Sequence, residues 1–322
     1  MNGMIDNNEK QYFDKGDSYS LRGICMILII IHHLYQYSIF KYGFYVSPPF
    51  STILQSLGYL STSVFFLLSG YGLFISLKMK KSFFLVDMFT YMSKLLSPFL
   101  YIWLLDLFVY LIKFDCDFVN VLYSFITLKY SSSGNLLWFF KEIITLYIVT
   151  YLVFKWVKQD NSRIYIILLL TLTFISLSVL CNLSSMWWNT ILCFPIGMIC
   201  AKRNENQKPL LNPYLLMGIL MLFIASFFFT KVGKGIDNVY IVSIIVSSIT
   251  FSISIIGLIR YLNLQNKLFD YIGKNSLIFY LSHIFLLTTL LSITSFAVFT
   301  TLVIVGSFII SLMYSIIKSK YL

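Results

Sequence analysis

The feature that most narrows what this chain can fold into is a train of ten apolar runs, separated by short polar gaps, that fills almost everything after residue 21. The runs fall at about 22–40, 55–77, 95–112, 136–154, 164–181, 187–201, 213–230, 239–258, 277–295 and 296–317. As a helix rising 1.5 Å per residue, roughly 20 apolar residues cross a hydrocarbon layer of about 30 Å. A soluble domain cannot hide this many, because its surface must still be covered by polar groups. The chain is 58% hydrophobic and 11% charged, against about 45–50% and about 25% for soluble domains. The pattern predicts an all-α integral membrane protein, ten transmembrane helices in one bundle. The sixth run is short and holds Pro195 and Gly197, so a kinked or tilted span is expected there.

The basic residues orient the bundle. With the N-terminus inside, only Lys41, Lys113, Lys129, Lys141, Lys231 and Lys234 fall on the outer side, and the other 18 of the 24 basic residues lie inside. Such an excess at the inner loops predicts both termini in the cytoplasm. Residues 1–20 are polar and lack a cleavable signal pattern; they are expected to form a cytoplasmic tail ahead of a membrane domain spanning 21–322. The net charge of +11 is used up in these loops, and no nucleic-acid motif accompanies it.

Cys25, Cys116, Cys181, Cys193 and Cys200 have no metal-ligand spacing and read as small buried hydrophobes. A Cys116–Cys181 disulfide on the outer side is the alternative. The longest outer connection, 114–135, is expected to hold a short surface helix over 118–127, either functional or a plain connector.

Ionisable residues inside spans are costly and therefore informative. Arg22 and His33 lie eleven residues apart in the first run, which returns to within about 20° of one face and about 16 Å further along the axis. His32 is turned about 100° away. One reading makes Arg22 an anchor for an anion at the inner mouth and His33 the site of chemistry. The other makes Arg22 a topology anchor and His33 a helix–helix hydrogen-bonding residue; spacing alone does not decide. Asp106 in the third span and Glu142 in the fourth fall at a similar depth to His33, and a carboxylate there would orient an imidazole. Their alternatives are a polar cavity for Asp106 and an ion pair with Lys141 for Glu142. His283, in the lower part of the ninth span, is placed either to meet a ligand in the inner half or to hydrogen-bond a neighbouring helix. Histidines at different depths do not suit zinc, and no metal is expected. The small residues of Ser69-Gly70-Tyr71-Gly72 suit close helix approach, not a nucleophile elbow.

Five stretches carry a resemblance: Leu21-Arg22-Gly23-Ile24 leading to His33; Val64-Phe65-Phe66-Leu67-Leu68-Ser69-Gly70-Tyr71; Lys94-Leu95-Leu96-Ser97-Pro98-Phe99; Leu137-Trp138-Phe139; and Ile272-Gly273-Lys274-Asn275-Ser276 followed by Tyr280 and His283. In order and spacing they are similar to the acyltransferase-3 family of membrane acyltransferases, which modify bacterial surface sugars. His32 departs from the family pattern, and Lys94 stands where an arginine is more common, which would weaken a bidentate grip on phosphate.

The resemblance implies a multi-pass protein of the bacterial cytoplasmic membrane that moves an acetyl group from acetyl-CoA to a sugar hydroxyl. The acceptor is expected to be a cell-surface polysaccharide or its lipid-linked precursor. Arg22 and His33 become the functional pair. The coenzyme A phosphates are expected at Arg22, Lys94 and one of Lys78, Lys80 and Lys81, with His283 also reaching the donor. His33 would act as general base, oriented by Glu142 or Asp106. A sugar-lipid flippase or transporter is the alternative, but no internal symmetry is visible. A polysaccharide polymerase is another, but the longest outer loop carries only Lys129 besides Lys113.

Overall fold

In lipid a backbone N–H or C=O has no water to turn to, so a lipid-facing segment must satisfy its own backbone, and these runs become helices. The computed structural model describes residues 15–79, 85–113, 118–127, 137–205, 212–233, 237–262 and 265–321. They form α1 (Lys15–Tyr42), α2 (Phe50–Lys78), α3 (Leu85–Lys113), α4 (Phe118–Ile126), α5 (Trp138–Trp156), α6 (Asp160–Leu180), α7 (Cys193–Glu205), α8 (Pro213–Val232), α9 (Asp237–Leu262), α10 (Lys267–Lys274), α11 (Ser276–Thr289) and α12 (Phe296–Tyr321). Among the described residues there is no strand. Many hydroxyls inside the helices bond back to the preceding turn, as Thr62 does to the Gly58 carbonyl at 2.8 Å and Ser307 to that of Val303 at 2.6 Å, whereas those of Ser61, Thr150, Ser178 and Ser254 have no partner among the described residues. The bonded ones thus bring no unmet polar group into the bundle.

The burial pattern is that of a protein in lipid. Leu104, Phe108, Met217, Met221, Ile304 and Ile309 are exposed, whereas Ser63, Ser247, Ser248, Ser252, Ser282 and Ser311 are fully buried. Small residues inside allow close helix packing, while the apolar residues outside face a medium as apolar as themselves. α2 lies at the centre, against α1, α5, α7 and α9, and α1 in turn meets α10, α11 and α12.

Two glycine pairs set the tightest approaches. A Cβ on Gly70 would lie 2.0 Å from the Phe194 carbonyl oxygen, and one on Gly197 equally close to that of Leu67. These contacts lock α2 to α7. Gly23 and Gly273 do the same for α1 and α10, each lying against the other helix's backbone at Phe269 and Tyr19. Gly72 meets nothing within 4 Å, so of the two glycines in Ser69–Gly72 only Gly70 serves helix approach.

Seven helices, α1, α2, α3, α6, α8, α9 and α12, are long and apolar enough to cross a membrane. The remaining three apolar runs are helical in shorter or more charged form. α5 carries Lys141, Glu142 and Lys155 in 19 residues. α7 has 13 residues and α11 has 14, about 20 Å each.

The short ones differ from the sequence expectation for local reasons. α7 begins only at Cys193, after a 3-10 turn over Ser185–Trp187. Pro195 falls in its first turn, where a missing N–H leaves nothing unpaired, so the proline starts this helix. The ninth run is preceded by the amphipathic α10, which sits against the foot of α1 through a Ser20 Oγ hydrogen bond to Asp270 and one from Gln265 to Asp17. Asn275 separates α10 from α11, its amide bonded to the Tyr271 carbonyl and its oxygen to Ser315. The expected surface helix is present as α4, docked on α3 by Trp103 Nε1 donating to Ser124 Oγ at 3.2 Å. Cys25, Cys181, Cys193 and Cys200 are free thiols; Cys116, Lys80 and Lys81 lie outside the described residues.

Candidate active site

α1 presents Arg22 and His33 to two chambers stacked along its length. The first holds about 110 Å³ and is lined by Arg22, Met26, Ile29, Phe65, Ser69, Leu95, Phe139, Ile143, Tyr147, Ser276, Leu277 and Tyr280. Each of the five stretches quoted above contributes to it: Arg22, Phe65 with Ser69, Leu95, Phe139, and Ser276 with Tyr280. Arg22 is half-buried, its guanidinium donating a long bond to the Leu68 carbonyl at 3.5 Å while its buried Nε has no partner among the described residues. An arginine with an unmet donor in an enclosed space is suited to an anion.

The second chamber, about 400 Å³, is lined by His32, His33, Gln36, Gln55, Ser56, Tyr59, Thr62, Trp138, Ser185, Asn189, Thr230, Lys231 and Tyr240, among others. This is within the range of small-molecule sites. Ile29, Phe139 and Tyr280 line both chambers, so these three side chains form the partition between them.

The histidines have separate tasks. His32 donates from Nδ1 to the Leu54 carbonyl at 2.9 Å, pegging α1 to α2, and Gly58 leaves the space its ring fills. His33 pairs Nδ1 with Gln36 Oε1 at 3.3 Å. With the amide oxygen accepting, the proton sits on Nδ1 and the Nε2 lone pair is left for chemistry. His283 is fully buried and donates from Nδ1 to the Phe279 carbonyl at 3.0 Å; its Nε2 has no partner among the described residues.

The structure corrects the expected depth of His283. Its ring centroid lies 5.3 Å from that of His33 and 5.7 Å from that of Tyr280, beside the His33 chamber and away from the Arg22 end. The register explains it. α10 takes the interfacial position, α11 starts inside the bundle, and Gly23 touches the chain at Gly273. Ten residues up each chain, about 15 Å, come His33 and His283. Among the described residues no group of three or more histidine, cysteine or acidic side chains converges as a metal site.

The other expected site residues are placed less centrally. Glu142 is buried on α5 beside Ile143, with both carboxylate oxygens lacking a hydrogen-bond partner among the described residues; it lines neither chamber. Asp106 is buried on α3 and also lines neither. The hydrogen bond on His33 Nδ1 goes to Gln36, not to either acid. Lys94 is exposed one residue before Leu95, with Nζ 5.9 Å from the Tyr91 ring. Lys78 is tied to Asp160 at 3.0 Å, and Asp160 also holds Arg163 at 2.8 Å.

Gln36 and Lys231, which line the His33 chamber, were not among the expected site residues. Gln36 stands three residues beyond His33, on the same helix face, a polar side chain repeating the Arg22–His33 stripe.

A family profile described as an acyltransferase domain, of the acyltransferase-3 type, matches residues 19–317. The chain belongs to the acyltransferase-3 family. The match takes in every residue of both chambers, and it sets aside the flippase and polymerase readings: this is a multi-pass membrane acyltransferase. No curated protein and no solved structure matches it.

Proposed function

We propose that this acyltransferase takes an acetyl group from cytoplasmic acetyl-CoA and delivers it to a hydroxyl of a cell-surface glycan or its lipid-linked precursor. The observation that carries the reading is one helix holding Arg22 and His33 in two adjoining chambers with a shared, three-residue partition. The bundle is read as ten crossings in the bacterial cytoplasmic membrane, with both termini inside, because the basic residues concentrate at the Arg22 end. Arg22, with Lys94 at the rim, meets the phosphates of the donor. The pantetheine arm passes Ile29, Phe139 and Tyr280, which swing apart to admit it, and the thioester arrives beside His33.

His33 Nε2 then takes the proton of the acceptor hydroxyl as its oxygen attacks the thioester carbonyl. The carbon–sulfur bond breaks, the acetyl ester forms, and the coenzyme A thiolate leaves with the proton that His33 returns. Gln36 keeps the imidazole in the tautomer this needs, the task first expected of Glu142 or Asp106. His283 packs against the His33 ring and limits its rotation. Glu142 and Asp106 retain a supporting role from the layer behind the chambers. A partition that closes behind the donor excludes water, which would otherwise hydrolyse the thioester.

The test is acetate content of the surface glycans, read by NMR in a deletion strain complemented with the wild-type chain or with His33→Ala. The wild type restores the acetyl signals and the variant does not, a general base being worth about 10²–10⁴-fold. Restoration by His33→Ala at equal protein level contradicts the mechanism.

A further inference from the structure

Outside the two chambers a groove of about 690 Å³ runs down the side of the bundle, lined by Gln36, Tyr37, Ile39, Phe40, Gln55 and Leu291. Gln36 and Gln55 also line the His33 chamber, so the groove and the chamber share a polar threshold. The far edge of the groove is apolar and bare, with Phe40 90% exposed. Its rim is held in place by Lys41 Nζ and the Tyr42 hydroxyl, which both donate to the Ile293 carbonyl, at 2.5 and 2.7 Å.

Depth adds a second constraint. Arg22 and Lys41 bracket 18 residues of α1, about 27 Å, close to the thickness of a hydrocarbon core. Ile39 and Phe40 therefore lie at the boundary where lipid headgroups meet acyl chains, and His33 lies one to two turns deeper. A molecule filling groove and chamber together is apolar at one end and polar at the other. Among the described residues, the chamber it enters is lined by Lys231 and by no carboxylate, which favours a neutral or anionic head. A water-borne polymer has no use for an apolar track ending at the reactive histidine.

Resting on the acyl-transfer reading, we propose that the acceptor is a lipid-anchored sugar that loads sideways from the outer leaflet, its hydrocarbon chain on Ile39, Phe40 and Leu291 and its sugar passing Gln36 and Gln55 to His33. The acceptor thus arrives from the membrane plane while the donor arrives from the cytoplasm, and the two never compete for one mouth.

The probe is a dodecyl glucoside carrying a diazirine on its alkyl chain, photolysed with the full chain in lipid nanodiscs and mapped by peptide mass spectrometry. The adducts are expected to concentrate on 36–40, 53–55 and 291, and to fall about tenfold or more in Phe40→Asp and Leu291→Asp, which put a charge in the apolar track. The same variants expressed in the deletion strain lower glycan acetate in parallel, and Phe40→Leu, which keeps the track apolar, lowers it less than Phe40→Asp. Adducts spread evenly around the bundle, or wild-type glycan acetate in both aspartate variants, overturn the proposal. Because the photolabel reads the groove without catalysis, failure of acetyl-CoA to bind would strike the acyl-transfer reading and leave this one to its own result.

Discussion

At the scale of single residues, two side chains of α1 face different chambers. Arg22 faces a chamber too small for anything but part of a donor, and His33 faces the larger one. Beyond His33, Gln36 fixes the imidazole from one turn above. Replacing Gln36 by Leu removes the acceptor on Nδ1 and lets the ring choose its tautomer. The expected result is a fall in kcat of about tenfold with KM for acetyl-CoA unchanged, since misorientation affects the transition state and not donor binding. Gln36→Glu, which can still accept from Nδ1, should recover part of the rate. The pair Arg22–His33 was legible in the sequence because helical periodicity alone puts both on one stripe. Gln36 was harder to see, because a glutamine near the end of a span also serves as an ordinary interfacial residue. The placement of His283 beside His33 was out of reach: it depends on where α11 begins, and that is decided by α10 docking on α1.

At the scale of elements, helices were readable wherever apolar runs were long, and boundaries failed where a polar contact intervened. Pro195 reads as a kink when seen inside an apolar run, but it becomes a helix start once residues 185–192 turn away from helical geometry. Asn275 divides what looks like one span into an interfacial helix and a short buried one, using side-chain bonds to Tyr271 and Ser315 that no periodicity signals. The glycine contacts yield a sharp expectation. Gly197→Ala puts a methyl 2.0 Å from the Leu67 carbonyl oxygen, so α2 and α7 must separate. The cost should be about 1–3 kcal/mol, read as a lower midpoint of thermal unfolding in detergent. Gly72→Ala, with open space around it, should leave the midpoint unchanged or slightly raised.

At the scale of the whole molecule, apolar flanks enclose a hydroxyl-rich interior, and the proposed reaction needs the partition to keep donor and acceptor on opposite sides. That requires the His33 end to face outward. The native Cys181 tests it, because it is exposed at that end while Cys25, Cys193 and Cys200 are buried. In a Cys116→Ser background, a membrane-impermeant maleimide should label intact cells, and Cys181→Ser should abolish the labelling. Labelling seen only after permeabilisation would invert the bundle. The positive-inside pattern predicts this orientation from the sequence; the chambers were not legible there, because cavities arise from side chains brought together across α1, α2, α3, α5, α8, α9 and α11.

The central claim is that one helix separates donor capture from proton transfer, and equilibrium binding of acetyl-CoA to the wild-type chain, Arg22→Ala and His33→Ala in nanodiscs tests it most directly. Loss of charge-assisted hydrogen bonds to phosphate should weaken donor binding to Arg22→Ala by about tenfold to a hundredfold. His33→Ala, inactive in transfer, should bind the donor as tightly as wild type. Unaltered affinity in Arg22→Ala, or a loss confined to His33→Ala, would contradict the account.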